Sequence, residues 1–214
     1  MAAATNAIFR LERAQGALFD AHGRRFDAAA RTWRAADGAA AGAPVDALEA
    51  ARWLQRESGH ALRVPVGVIG PREASAAQRA AAEAVGHGLA TIGIALLCGG
   101  RQGVMEAACK GAAAAGGIAI GLLPEADPAL ANPYASVAIA TGIGEARNAL
   151  IARASLCLVA IGDSFGTLSE VALGRQFGKL VVALEGAAQI DGVRRAASAR
   201  EALELTARCM LALP

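Results

Sequence analysis

Short apolar segments alternate with amphipathic segments along most of this chain. From Val64 onward, six nearly continuous apolar runs are separated by stretches of helical length; they cover residues 64–70, 93–98, 117–123, 136–140, 155–162 and 179–185. Continuous apolarity over a few residues is typical of strands that are covered on both faces of a sheet. We therefore predict six strands at these positions.

The segments between the runs predict helices. They cover residues 75–91, 103–115, 144–154, 166–177 and 198–210. Strands and helices in alternation imply right-handed crossover connections between parallel strands. The predicted fold class is therefore α/β, a doubly wound, mainly parallel, Rossmann-like sheet with helices on both faces. Ligands bind such sheets beyond the C-terminal ends of the strands.

The N-terminal part of the chain has a different composition, rich in arginine, alanine and polar residues. Residues 16–33, GALFDAHGRRFDAAARTW, predict a β-hairpin that turns at His22-Gly23. Residues 36–44 have the composition of a loop, and residues 45–57 predict an amphipathic helix. We expect residues 1–60 to be an N-terminal hairpin and helix appendage, and residues 61–214 to be the nucleotide-binding domain.

Charge and composition exclude several classes of function. The formal net charge is only +2, from 21 Lys and Arg against 19 Asp and Glu, which does not indicate a nucleic-acid partner. The chain has no strongly apolar run of membrane-spanning length and its start lacks the apolar core of a signal peptide, so we predict a cytoplasmic protein without a membrane partner. Four cysteines (Cys98, Cys109, Cys157, Cys209) and three histidines lack metal-ligand spacing; we predict buried free thiols and no metal.

Two glycine-containing turns follow the first two predicted strands of the large domain. Gly70 and Arg72 follow the first strand, and Gly99, Gly100 and Gly103 follow the second. Glycine lets the backbone approach a ligand closely, and the amides at a helix N-terminus bind anions. Each turn is equally consistent with a simple connection from strand to helix.

Arg147 stands in the first turn of the helix predicted from Gly144. A cation at this end of a helix is unfavourable for the helix dipole. A ligand phosphate or carboxylate facing the guanidinium explains the position better than a surface arginine does, although the surface alternative stays open.

The stretch IGDSFGTLSE (Ile161 to Glu170) joins the fifth predicted strand to a helix. Thr167 and Glu170 have capping-box spacing, with the threonine as the expected cap. The Thr167 hydroxyl and the amides beside Gly166 can hold a phosphate, with Glu170 one helical turn deeper. A well-capped helix without chemistry is the alternative, because Ser198 and Glu201 repeat the spacing where no site is expected.

Three stretches together resemble a known family: CGGRQGVMEAACKGAAAAGGIAIGLLP, TGIGEARNALI and AIGDSFGTLSEVALG, in this order. They are similar to the LOG-like Rossmann family, which includes the cytokinin-activating phosphoribohydrolases and the molybdenum cofactor carrier proteins. The resemblance runs from about Val64 to the C-terminus. It is nearest to the uncharacterised bacterial branch related to the cofactor carriers.

The resemblance implies roles for individual residues. By correspondence with the hydrolases, Arg147 and Glu170 match the catalytic arginine and glutamate, and Gly166 and Thr167 match the phosphate-holding turn. The chain departs from the hydrolase motifs in two places: Gly144 and Asn148 replace Met and Lys of M-x-x-R-K, and Gly162-Asp163-Ser164 replaces Pro-Gly-Gly. Asn148 and Ser164 are expected to contact the ligand. The Asp163 carboxylate would repel a phosphate unless it turns away or pairs with Arg147 or Arg72.

Two functions follow from these expectations. The first is binding of a phosphorylated small molecule, a nucleotide or the pterin-based molybdenum cofactor, at the C-terminal edge of the sheet. The alternative is a nucleoside 5′-monophosphate phosphoribohydrolase that cleaves an N-glycosidic bond, and a purely structural oligomer is a weaker third reading. We expect no required cofactor; a nucleotide or the molybdenum cofactor is expected only as the bound ligand. Because the hydrolases are dimers, the resemblance also implies a homo-oligomer, a dimer or higher.

Overall fold

The computed structural model describes residues 9–36 and 42–213, and these form two compact units. The larger unit is Arg63–Thr206, and the smaller combines the residues up to Leu62 with those from Ala207 onward. From the sequence, the C-terminal residues are predicted to belong to the larger domain. They group with the smaller unit because the Trp33 indole donates to the Leu211 carbonyl at 2.8 Å, and Arg31 donates to the carbonyls of Cys209 and Met210.

The smaller unit contains an antiparallel sheet of five strands in the order β4-β3-β2-β1-β5. Its elements are β1 (Phe9–Glu12), β2 (Ala17–Asp20), β3 (Arg25–Asp27), β4 (Thr32–Arg34), β5 (Ala43–Val45) and the helix α1 (Ala47–Arg56). The predicted hairpin is present as β2 and β3. The loop predicted over residues 36–44 is partly wrong: Ala43 and Pro44 belong to β5, which pairs with β1. Residues 37–41 of that loop lie outside the described residues.

The larger unit is built on a seven-stranded sheet in which every pairing is parallel. Its strands are β6 (Val66–Ile69), β7 (Leu96–Cys98), β8 (Ala119–Leu123), β9 (Val137–Ala140), β10 (Leu158–Ile161), β11 (Val181–Leu184) and β12 (Arg194–Arg195). The order is β12-β11-β10-β6-β7-β8-β9. All six predicted strands are confirmed, and β12, two exposed arginines at the sheet edge, is the strand that the apolar pattern missed.

The helices of this unit lie close to their predicted bounds. They are α2 (Ala76–Ile92), α3 (Val104–Ala114), α4 (Asn148–Ala154), α5 (Phe165–Gln176) and α6 (Ala199–Met210), of which the last four residues belong to the smaller unit. The chain moves from β6 through β7 and β8 in one direction across the sheet, and from β10 to β11 in the other. Right-handed crossovers therefore put α2 and α3 on one face and α5 on the opposite face. The predicted α/β, doubly wound fold is confirmed.

The direction of the chain reverses at β6 and β10, which are neighbours in the sheet. The connections that leave these two strands diverge to opposite faces and leave a crevice at the C-terminal edge of the sheet. This reversal is the place where ligands bind in doubly wound folds. None of the helices within residues 9–36 and 42–213 is long and apolar enough to cross a bilayer.

Candidate functional site

The crevice between the connections after β6 and β10 holds a cavity of about 850 Å³. This volume lies in the range of small-molecule sites. Nine of the eleven predicted site residues line it: Gly70, Arg72, Gly99, Arg147, Asn148, Ser164, Gly166, Thr167 and Glu170. Residues from four separate connections thus meet at one place.

The two predicted site residues that do not line the cavity are Gly100 and Gly103. A Cβ on Gly100 would stand 3.0 Å from the Gly121 Cα, so this glycine lets β7 and β8 approach each other. A Cβ on Gly103, whose φ is +71°, would overlap the carbonyl oxygens of Pro71 and Arg72. Both glycines serve packing of the chain against itself, and the Val104 amide that follows donates to the Pro71 carbonyl rather than to an open space.

The helix α5 begins one residue earlier than predicted, and Ser164 rather than Thr167 is its cap. Ser164 has an extended backbone, and its hydroxyl accepts from the Thr167 amide at 3.1 Å. The Thr167 hydroxyl lies 2.8 Å from the Ser164 hydroxyl and is buried. Glu170 is therefore deeper in the helix than the capping-box interpretation placed it. The spacing misled because Ser164 competes for the same role three residues earlier.

Asp163 turns toward the backbone of its own turn. Its carboxylate accepts from the Ser164 amide at 2.9 Å and lies exposed at the edge of the cavity. Among the described residues, Asp163 forms no ion pair with an arginine; Arg147 lies against Glu170 instead, and Arg72 lies 3.6 Å from Glu145. The carboxylate thus accepts the hydrogen bond of the Ser164 amide at this helix start and leaves the cavity open.

Arg147 and Glu170 meet at the buried floor of the cavity. Arg147 ends a short 3-10 turn, Gly144–Arg147, directly before α4, so the cation does stand at a helix N-terminus. One guanidinium nitrogen lies 3.4 Å from a carboxylate oxygen of Glu170, and the two side chains are only 5% and 7% exposed. The contact is long and single rather than the paired geometry of a strong arginine–carboxylate bridge.

The guanidinium of Arg147 is incompletely satisfied. Its Nε is buried and has no hydrogen-bond partner among the described residues. The group lies against the backbone of Gly99, where an added Cβ would be 2.5 Å from both terminal nitrogens. Gly99 is thus needed at the end of β7 so that the arginine can enter the crevice, and a buried, under-bonded cation is the result.

Burial raises the pKa of the Glu170 carboxyl to about 8, because the Arg147 guanidinium lowers this pKa by less than burial raises it; the Glu145 carboxylate adds to the rise. Near neutral pH the carboxyl is therefore mostly protonated. The positive charge of Arg147 is then not cancelled by its neighbour.

The remaining polar side chains of the site link helix α4 to helix α5. The side-chain amide of Asn148 donates to the Ser169 hydroxyl at 2.9 Å, and that hydroxyl donates to the Gly166 carbonyl at 2.7 Å. Asn148 is buried. The side chain predicted to contact a ligand thus links the start of α4 to the first turn of α5, while still lining the cavity.

The exposed edge of the cavity, which we call the rim, has the opposite charge from the floor. It carries the carboxylates of Glu73, Glu145 and Asp163 and the single guanidinium of Arg72. The attraction for an anion is therefore confined to Arg147 and to the start of α5. Glu73 and Glu145 are not among the residues predicted from the sequence, because neither belongs to a recognisable motif.

Phe165 is a further residue of the cavity lining that is not among the predicted site residues. Phe165 lines the cavity and is 94% exposed. Its only signal in the sequence is a large apolar residue between Ser164 and Gly166, where the turn otherwise has small and polar residues. In the described part of the chain, no group of three or more His, Cys, Asp or Glu side chains is placed to hold a metal ion.

Comparison with known proteins places the larger unit in a family. The model of the SLOG cluster4 family matches residues 63–209. An uncharacterized protein of Archaeoglobus fulgidus is 40% identical over 129 residues, which cover 60% of this chain and 85% of that protein. The matched segment leaves most of the smaller unit outside the family.

Two solved structures share the fold of this region. The molybdenum cofactor binding protein of Rippkaea orientalis is 35% identical with a TM-score of 0.64, over 68% of this chain and 97% of that one. The molybdenum cofactor carrier protein of Chlamydomonas reinhardtii is 35% identical with a TM-score of 0.63, over 69% and 99%. The resemblance to LOG-like Rossmann proteins is thereby confirmed.

Proposed function

This chain belongs to the SLOG cluster4 family, and from this premise we propose that it binds a phosphorylated small molecule in the crevice between β6 and β10. The observation that carries the proposal is the buried Arg147 guanidinium, which has an unpartnered Nε and faces a cavity of small-molecule size. A buried cation of this kind is stabilised by an anionic ligand. The ligand-binding roles of the nine lining residues named above are part of this proposal.

The start of α5 supplies further donors for the anion. The Thr167 amide is taken by the Ser164 hydroxyl, and the Leu168 amide by the Ser164 carbonyl. Within the described residues, the amides of Phe165 and Gly166 have no acceptor, as expected for the first positions of a helix. These two amides and the positive end of the helix dipole favour a phosphate group.

The protonated carboxyl of Glu170 supports an anion at the floor. A charged carboxylate 3.4 Å from the guanidinium would compete with a phosphate for it, whereas a neutral one can donate a hydrogen bond. The acidic rim then selects against anions that do not reach the floor.

Two ligand classes fit these features, a nucleoside monophosphate and the pterin-based molybdenum cofactor. Both combine a phosphate with a ring system that fits within 850 Å³. The solved relatives of Rippkaea orientalis and Chlamydomonas reinhardtii bind or carry the molybdenum cofactor, which favours the second class. In that case the cofactor would be carried as cargo, with Arg147 and the amides of Phe165 and Gly166 as the residues that hold its phosphate.

Isothermal titration tests this function. AMP, GMP and molybdenum cofactor are titrated into the protein at pH 7, with Arg147→Gln as the matched variant. We expect heat from at least one ligand and a large loss of affinity in the variant. Absence of heat from all three ligands would contradict the proposal.

The contact between Arg147 and Glu170 favours a second candidate function. These residues correspond to the catalytic pair of the phosphoribohydrolases, and they lie together in the crevice. As an enzyme, the protein would use Arg147 to orient a nucleoside 5′-monophosphate and Glu170 to stabilise the developing ribosyl cation or to position water. Release of adenine from AMP, abolished in Glu170→Ala, would support hydrolysis; equal rates in both proteins would exclude it.

We also propose that the protein forms a homo-oligomer through the free edge of the large sheet. In the edge strand β9, Val137 and Ile139 are 45% and 46% exposed to solvent. An open edge strand with apolar side chains is a template for pairing with another chain. Light scattering coupled to gel filtration would show a dimer or larger species that Ile139→Lys converts to monomer.

A further inference from the structure

We infer that Phe165 is the surface on which the planar heteroaromatic ring of the ligand stacks in this crevice. The inference rests on the proposed function and makes it more specific, because anions that lack such a ring would bind weakly. Phe165 is then a specificity-determining residue for this site.

The exposure of Phe165 is the first observation. At 94% it is the most exposed of the large apolar side chains in the described residues. A phenylalanine stabilises a folded protein only when water is removed from its ring, so a ring held in solvent contributes nothing to the fold. Phe165 is also the only aromatic residue among those described that line the cavity.

The position of Phe165 connects its ring to the anion site. It is the first residue of α5, held in place by the Ser164 cap, whose hydroxyl accepts from the Thr167 amide. The amide of the same residue is one of the two free donors at the helix start. A ligand with its phosphate on this amide therefore has its next atoms within reach of the Phe165 ring.

The buried floor provides the independent sign that a ligand belongs here. Arg147 is 4% exposed, lines the same cavity, and has an Nε without a partner. A ligand that spans from this guanidinium to the Phe165 ring contacts both a polar floor and an apolar edge. Phosphorylated aromatic heterocycles have both kinds of group, whereas sugar phosphates have no face for stacking.

The inference is tested with two probes, GMP and ribose 5-phosphate. Both contain a ribose phosphate, but only GMP carries an aromatic base. Isothermal titration is carried out on the wild type, Phe165→Ala, Phe165→Tyr and the control Leu168→Ala. Leu168 is an exposed apolar residue on the same helix that does not line the cavity. Because Phe165 is almost fully exposed, its replacement is expected to leave the fold intact, which circular dichroism checks.

We expect the wild type to bind GMP at least about tenfold more tightly than ribose 5-phosphate, the size of one stacking contact. Phe165→Ala should lose roughly that factor for GMP and nothing for ribose 5-phosphate. Phe165→Tyr and Leu168→Ala should bind GMP as the wild type does.

Three results would overturn the inference. Equal affinity of the wild type for both probes would exclude the stacking contact, but it would remain consistent with the anion site of the proposed function. A loss of GMP affinity in Phe165→Ala that is accompanied by dissociation of an oligomer would assign Phe165 to an interface between copies. Absence of binding by both probes would overturn the inference as tested with a nucleotide; the proposed function fails with it only if AMP and molybdenum cofactor also give no heat.

Discussion

Two glycine-rich connections from strand to helix leave the same edge of the large sheet, one on each side of the connection after β6, and they have different roles. In the connection from β7 to α3, the backbone of β8 and the carbonyls of Pro71 and Arg72 fill the space beside Gly100 and Gly103. In the connection from β10 to α5, a Cβ on Gly166 would meet nothing closer than 3.8 Å. The first turn is packed against the protein itself and the second faces the cavity.

The comparison shows that glycine content alone does not identify a ligand site. Both turns follow a buried strand, precede a helix and are consistent with an anion site from sequence. The distinction lies in which atoms occupy the space that the missing side chains leave. Gly99 combines both roles. It is packed against the protein, but the atoms beside it belong to the guanidinium of Arg147, which lines the cavity.

The largest expected effect is in the packed turn. Gly103→Ala combines a positive φ with overlap against two carbonyl oxygens, and we expect it to lower the free energy of unfolding by about 3 kcal/mol or more. Urea denaturation measures this. Gly116→Ala is the matched control, since its φ is also positive but nothing lies within 4 Å; it should cost only about 1 kcal/mol. Similar losses in the two variants would contradict the packing role of Gly103.

The next effect is on ligand binding at the floor of the cavity. Arg147→Gln should weaken binding of a phosphorylated ligand about 100-fold, because a buried charge-assisted contact is worth roughly 3 kcal/mol. Arg72→Gln is the control, since Arg72 is about half exposed and stands beside Glu145; it should change affinity by less than about fivefold. Equal losses would mean that the rim contributes as much as the floor to binding the anion.

A smaller effect concerns Glu170 and is dependent on pH. The folded protein holds a proton on Glu170 up to about pH 8, whereas the unfolded chain releases it near its ordinary pKa of about 4.5. The contribution of Glu170 to stability is therefore most favourable at low pH and is lost as the pH rises through this window. Glu170→Gln should remove the loss, so that the variant is more stable than the wild type by about 2 kcal/mol at pH 6 and by little at pH 4.

Urea denaturation across this pH range measures the difference between Glu170→Gln and the wild type. Glu204→Gln, in an exposed pair with Arg200, should show a difference below about 0.5 kcal/mol at every pH. A difference for Glu170→Gln that is constant with pH would contradict a protonated carboxyl at the floor.

The smallest effect on stability is in the turn that faces the cavity. Gly166→Ala should change the free energy of unfolding by less than about 1 kcal/mol, and in the stabilising direction, because alanine is the better helix former. The added methyl group points to the ligand side, so affinity for a phosphorylated ligand should fall a few fold. Strong destabilisation would place Gly166 in the same class as Gly103.

Much of the larger unit could be predicted from sequence because most of its strands are buried on both faces; the two edge strands, β9 and β12, are largely exposed. Continuous apolar runs in β6, β8 and β10 have no other simple explanation. The five-stranded sheet of the smaller unit could not be predicted to the same degree. Its outer strands are three residues long and partly exposed, so their side chains do not form a clear pattern.

The candidate site was predictable in its residues but not in its arrangement. Spacing indicated Arg147 and Glu170, yet their separation of 23 positions holds no information on whether their side chains meet. The predicted cap of α5, Thr167, was wrong because Ser164 and Thr167 are both suitable cap residues and only the backbone path distinguishes them. The acidic rim and the exposed ring of Phe165 arise from the tertiary structure alone.

The central claim is that the crevice between β6 and β10 binds the anion of a phosphorylated ligand. A crystal structure with GMP or with a ligand retained through purification tests it most directly. We predict a phosphate oxygen within hydrogen-bond distance of the amides of Phe165 and Gly166, with the Arg147 guanidinium in contact with the ligand. A ligand bound elsewhere, with the guanidinium of Arg147 sealed from it by Glu170, would contradict the claim.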